Sequence, residues 1–197
     1  LNSLERFTGA KQCWQSVYFG TPMWYFSGSP LVDNHLVILN AGGSGVAVDR
    51  YKHNIVWSNA EGTAGFSSPF TVMWNSEKVV PLMVRTGLVG VALADGSVVW
   101  QFPWVTPGQG NCADPIVFSN KVFISSGYGM GCALLSMGTG GVLAVEWKNT
   151  NMKNHFSPSV LVGGYLYGFD GQVNDWDDGT KYLVCMDVRD GSVRWSK

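Results

Sequence analysis

The sequence predicts an all-β fold, a β-propeller of four-stranded antiparallel blades: about four blades plus one leading outer strand. Three observations carry this. Tryptophans closing strand-like segments recur at Trp14, Trp57, Trp100, Trp147 and Trp195, at spacings of 43, 43, 47 and 48 residues, and a period of that size is one propeller blade. A second marker, Ser or Asp followed by Pro, keeps phase with them at Ser29-Pro30, Ser68-Pro69, Asp114-Pro115 and Ser157-Pro158. Helical periodicity is absent, because Gly or Pro interrupts every stretch that places apolar side chains at i, i+3, i+4 and i+7.

Composition agrees with the repeat. The 197 residues are 46% hydrophobic and 14% charged, which describes a folded chain, and 25 Gly with 9 Trp fit many tight turns between short aromatic-rich strands. A net charge of -1 with scattered Lys and Arg leaves no electrostatic footprint for nucleic acid or an anionic membrane. The most apolar run, 31–48, is broken by Asp33, Asn34, His35 and Asn40, well short of the roughly 18 apolar residues a membrane helix needs, so no transmembrane segment is expected. Cys13, Cys112, Cys132 and Cys185 are far apart without CxxC spacing, which speaks against zinc or thioredoxin-like chemistry and for free, mostly buried thiols. No export-signal pattern follows Leu1, so the expectation is a removed targeting segment or a chain that begins inside a longer one.

The elements divide into one segment, 1–197. Residues 1–28 are read as the end of a preceding blade and a linker, with 8–14 as that blade's last strand. The blade 29–57 offers strands near Leu31 and over 35–39, 46–49 and 55–57; the blade 67–100 offers 81–84, 88–93 and 98–100. The blade 112–147 offers 121–125 and 132–136; the blade 156–195 offers 165–169, 182–187 and 193–195. A Trp ending an outer strand can bury on the order of 200 Å² against the next sheet, several kcal/mol at about 25 cal/mol per Å². Asp95-Gly96 and Asp190-Gly191, just before their tryptophans, supply the positive φ of a tight turn and so set register.

These residues carry a resemblance. Ala47-Val48-Asp49 leads to Trp57 with His53 in a Gly position; Gly90-Val91-Ala92 leads through Gly96 to Trp100; Cys185-Met186-Asp187 leads through Gly191 to Trp195. The third repeat, read from Ala133 to Trp147, is four residues too long, and its turn is Gly138-Thr139-Gly140-Gly141. The pattern is similar to the pyrroloquinoline-quinone-like (PQQ-like) repeat family over nearly the whole chain. The resemblance implies a ring, of which this chain is expected to be about half, and self-association through open blade edges. It also implies a periplasmic or secreted location.

The family holds quinoprotein dehydrogenases that use PQQ and Ca²⁺, and non-catalytic scaffolds such as the lipoprotein of the outer-membrane β-barrel assembly machinery. The enzymes carry an adjacent cysteine pair, which has no counterpart in these residues. The favoured reading is therefore a scaffold, with no catalytic residues and no cofactor, that binds a protein partner or small ligand at the propeller face. The alternatives are a fragment of a PQQ-dependent alcohol or sugar dehydrogenase, with PQQ and calcium, and a carbohydrate-binding propeller using surface aromatics such as Trp24, Tyr25 and Trp104.

Few side chains stand out chemically. His35 and His53 read as surface residues, His35 opening a strand, whereas His155 lies in a polar loop able to reach the rim of a central channel. Asp170, Asp175, Asp177 and Asp178 offer oxygen ligands without the spacing of a known calcium loop and read as a solvated insertion, with Trp176 as a candidate rim contact. Gly127-Tyr128-Gly129-Met130-Gly131 reads as a turn rather than a phosphate loop, and Gly42-Gly43-Ser44-Gly45 lacks the setting of a serine nucleophile.

Overall fold

A computed structural model describes residues 2–4, 11–14, 22, 24–59, 61–171 and 181–197. Among the described residues, eighteen strands form a two-stranded ribbon and four four-stranded antiparallel sheets. The ribbon pairs β1 (Asn2–Leu4) with β2 (Lys11–Trp14), so the leading segment supplies two strands where the sequence pointed to one.

The first sheet is β3 (Leu31–Asp33), β4 (Leu36–Leu39), β5 (Val46–Asp49) and β6 (Ile55–Ser58). The second is β7 (Val72–Trp74), β8 (Glu77–Val84), β9 (Gly87–Ala92) and β10 (Val98–Pro103). The third is β11 (Ile116–Phe118), β12 (Lys121–Ser126), β13 (Gly131–Met137) and β14 (Leu143–Asn149). The fourth is β15 (Val160–Val162), β16 (Tyr165–Asp170), β17 (Tyr182–Asp187) and β18 (Val193–Ser196). Each sheet runs in strict sequence order, the meander that short hairpins enforce.

Burial explains why the sheets stack. The third strands β5 and β9 are buried at every position, so they are covered on both faces, whereas the first strands β3 and β7 leave their middle residue exposed. Three apolar cores fill the gaps between successive sheets. Ile38, Ala47 and Trp57 meet Val80, Leu82 and Val91; Val79 and Trp100 meet Val122, Ile124 and Leu135; Phe123, Leu134 and Trp147 meet Leu166, Val184 and Met186. The face of the fourth sheet that carries Trp195 keeps that residue 40% exposed, with Phe169 and Val160 more open still.

Trp57 and Trp147 belong to a recurring clasp. Trp57 Nε1 donates to the Leu93 carbonyl and Trp147 Nε1 to the Val188 carbonyl, both at 2.9 Å in the next sheet. Two residues on, Asn59 and Asn149 donate to the Gly96 and Gly191 carbonyls at 3.2 and 3.0 Å. Gly is required at the receiving turns: φ is +75° at Gly96, and a Cβ there would lie 2.5 Å from the Trp57 ring. Gly191, at φ +69°, faces the Trp147 ring in the same way. In the first sheet His53 holds the corresponding place at φ 59°, and its N–H donates to the Asp49 carbonyl as Gly96 N–H does to Ala92 and Gly191 N–H to Asp187.

The motif aspartates cap these turns. Asp49 Oδ1 accepts from the Tyr51 and Lys52 N–H groups, and Asp187 accepts from Arg189 N–H and from the Arg189 and Arg194 side chains. The Lys52 N–H bond holds the Asp49 carboxyl below its ordinary range; hydrogen bonds from Arg189 and then Arg194 hold Asp187 far below it.

The third sheet breaks the pattern. Leu134 pairs with Trp147, 13 residues on, where Ala47, Gly90 and Cys185 each pair with a Trp 10 residues on. The extra length is therefore three residues counted from Leu134, not four from Ala133, and it makes the glycine-rich turn that ends in Thr139–Gly141. Trp100, facing this turn, is buried with no partner for Nε1 among the described residues.

Two further expectations change. β8 runs through Pro81 rather than starting there; β7 pairs with it only as far as Val79, so one edge of the strand is already unpaired at the proline. His35 sits in the turn before β4, not in the strand. No helix among the described residues is long and apolar enough to cross a membrane.

Candidate functional site

The Ser/Asp-Pro markers all lie just before a first strand, and Pro fixes φ there while holding the preceding residue extended. Polar contacts tie these loops together across blades. Ser29 N–H donates to Ser68 Oγ at 3.0 Å, and Ser68 N–H donates to Asp114 Oδ1 at 2.7 Å, so one marker binds the next. Buried amides brace the loops from behind. Asn40 donates to the Ser67 and Met83 carbonyls, Asn111 to the Val84 and Trp104 carbonyls, and Asn154 to the Phe169 carbonyl. Ser126 Oγ donates to Asn111, and Ser159 Oγ to Asn154.

The series of marker bonds ends at Asp114, on the wall of a pocket of about 620 Å³ at this end of the sheets. Its apolar walls are Trp24, Phe66, Tyr128 and Phe156, and its polar groups include Cys112, Asp114 and His155. Trp24 and Phe156 are 67% and 70% exposed at the rim. Tyr128 reaches it from the β12–β13 turn, where φ is +54°, and stands edge-on to His155 at 4.9 Å between centroids. His155 stacks on Phe156 at 4.0 Å, is only 7% exposed, and has no hydrogen-bond partner at Nδ1 among the described residues.

Burial sets the protonation states. It raises the Asp114 carboxyl against the lowering effect of the Ser68 N–H bond, and pushes the Cys112 thiol up to about 11. Burial, then Cys112, raises Tyr128; burial, then the charge of Lys181, lowers His155. At neutral pH the imidazole and thiol are uncharged.

Of the candidate residues, His155 and the surface aromatic Trp24 reach the pocket. Asp170 does not: its carboxylate pairs with Lys153 Nζ at 2.9 Å. Asp175, Asp177, Asp178 and Trp176 lie outside the described residues, and among the described residues no group of three or more His, Cys, Asp or Glu could hold a metal. The strand that ends in Trp14 is β2. His53 is an exposed turn residue, Cys132 and Cys185 are buried free thiols, and Cys112 is a half-buried one. Trp104 is not a surface aromatic: it is 1% exposed, with Nε1 donating to Ser126 Oγ at 3.0 Å.

Stacked four-stranded sheets clasped by tryptophans, with a pocket where the inter-blade loops meet, define a β-propeller segment of the PQQ-like class. The chain belongs to the PQQ_2 family, described as outer membrane protein assembly factor BamB, which matches residues 7–197. The crystal structure of BamB from Moraxella catarrhalis is similar, at TM-score 0.59 and 14% identity over 86% of this chain and 52% of that one. Quinohemoprotein alcohol dehydrogenase from Comamonas testosteroni is similar at TM-score 0.62 and 15% identity, over 87% of this chain and 34% of that one. The chain thus spans about half the length of the first and a third of the second. A comparison with curated proteins returned no match.

The dehydrogenase resemblance raises PQQ and calcium. PQQ is an anionic polycarboxylate and calcium wants several oxygen ligands. Among the described residues the pocket's lining has no Lys or Arg, and the one carboxylate there would repel the quinone's acids. Its described residues do not fit that pair.

Proposed function

We propose that this chain is a non-catalytic binding scaffold of the bacterial envelope that receives a segment of a protein partner at the loop end of the propeller. The observation that carries the reading is the pocket whose rim leaves Trp24 and Phe156 two-thirds or more exposed, with Tyr25 at 74% beside Trp24. Large aromatics held open around a concave site match the anchors of protein interfaces, because they bring much apolar area for few rotors. The envelope setting follows the family's name, outer membrane protein assembly factor.

A photo-crosslinking side chain at position 156 is expected to trap one discrete protein in an envelope fraction, and the same group at Tyr51, exposed in the β5–β6 turn, is expected not to. Equal labelling from both positions refutes the reading. So does retention of added PQQ and Ca²⁺ through desalting with dye-linked alcohol oxidation, which would install the dehydrogenase reading instead. Self-association through the exposed Trp195 face is a second proposal for the same molecule. Sedimentation tests it: a concentration-independent monomer rejects it.

A further inference from the structure

We propose that the pocket recognises an arginine guanidinium presented by that partner segment, a reading that rests on the scaffold function above. Each class of occupant can be weighed against the wall chemistry. An anion would meet Asp114 with no Lys or Arg among the described lining residues to balance it. A wholly apolar group would desolvate the carboxylate and the bare His155 Nδ1 without giving either a partner, which is costly. A guanidinium is donor-only, planar and permanently charged. It suits two acceptors, Asp114 and the His155 Nδ1, set among the faces of Tyr128 and Phe156.

The buried polar groups support this. His155 is more than nine-tenths buried, its Nδ1 has no partner among the described residues, and burial favours the neutral ring, whose Nε2–H tautomer leaves Nδ1 an acceptor for a cationic donor. Asp114 already spends Oδ1 on the Ser68 N–H, a bond that holds the carboxylate in place on the wall. Lys181 lines a smaller neighbouring cavity that shares His155 and Phe156, and it is not part of this wall. The pocket is larger than a guanidinium alone, and the open rings of Trp24 and Phe156 leave room for flanking residues, which favours a peptide-borne group over a free amine.

The test uses the whole chain and the heptapeptide Gly-Ser-Ser-Arg-Ser-Ser-Gly, with citrulline replacing arginine as the neutral isostere and agmatine as the free cation. Binding is read by Trp fluorescence and by the NMR shifts of the His155 ring. The arginine peptide is expected to bind at least roughly tenfold tighter than the citrulline peptide and than agmatine, and Asp114→Asn and His155→Phe are each expected to weaken it by about tenfold. Asn keeps the acceptor for Ser68 N–H, and His155→Phe probes the site independently should Asp114→Asn perturb the fold.

Equal binding of the arginine and citrulline peptides overturns the proposal, as does undiminished binding by both variants. Agmatine binding as tightly as the peptide overturns the partner-borne source. A discrete crosslink from position 156 without arginine selectivity sinks this inference and leaves the scaffold reading standing; arginine selectivity without a crosslink does the reverse.

Discussion

Replacing Trp57 or Trp100 by Phe asks how much of the blade clasp is packing and how much is its hydrogen bond. Both indoles are buried, at 7% and 2% exposure. Each substitution removes roughly 40 Å² of ring, about 1 kcal/mol, with up to about 1 kcal/mol more for the space left behind. The two then diverge. At Trp57 the Leu93 carbonyl loses its donor, adding about 1–3 kcal/mol, for a total of about 2–5 kcal/mol. At Trp100 the indole N–H is buried without a partner, so removing it relieves a penalty of similar size and the net change is about zero. Urea unfolding gives the comparison: Trp57→Phe is expected to lower the midpoint clearly at unchanged slope, and Trp100→Phe to leave it nearly in place. Trp147→Phe serves as a second clasp, since its N–H also meets a carbonyl. A loss at Trp100 as large as at Trp57 refutes the claim that the irregular third-sheet turn leaves the second clasp unbonded.

Three further outcomes are expected. His53→Gly should stabilise the chain by about 1 kcal/mol in the same assay, because His53 holds φ 59° where the matching turns use Gly. Gly96→Ala should cost more than Gly163→Ala, since both have positive φ but only the Cβ at 96 would strike a ring, at 2.5 Å from Trp57, while the one at 163 meets nothing; comparable midpoints would refute the clasp geometry. Cys112 and Cys132, their thiols pushed up to about 11 and 12 by burial, should resist Ellman's reagent at pH 8 in the folded chain and react on unfolding; prompt labelling of the native protein would contradict that burial.

The repeat is legible because indole spacing is a one-dimensional signal, and the turn residues follow it so closely that the spacing alone puts His53 in a glycine position, where its φ is 59°. Strands of three residues, such as β7, β11 and β15, carry too few positions to show alternation, and Pro81 masked the start of β8 because proline usually ends a strand. Trp-x-Asn at 57–59 and 147–149 is the clasp's signature in the sequence, a pattern too short to stand out without the turn that receives it. Among the residues singled out for binding, the pocket was legible at His155 and at the surface aromatic Trp24. Trp24, Cys112, Tyr128 and Phe156 come from loops of different blades, and only the stacking of sheets brings them together.

One trace of the pocket did stand in the sequence. Three of the four markers before Pro are neutral serines and the other is Asp114. Its structural duty is to accept the Ser68 N–H, which an uncharged amide oxygen would do as well. Burial raises the pKa of the carboxyl, so its charged form is less favourable folded than unfolded; the associated penalty is absent below the ordinary carboxylate range and grows as pH rises through the raised value. Asp114→Asn should therefore leave stability at pH 7 equal or higher than the parent's, with the difference vanishing at acid pH, as thermal melts across pH would show. A group that costs stability where a neutral one would serve the fold is best explained by what its charge attracts. A melt in which Asp114→Asn is the less stable protein at neutral pH would show that the carboxylate serves the fold, and would remove that support for a cation in the pocket.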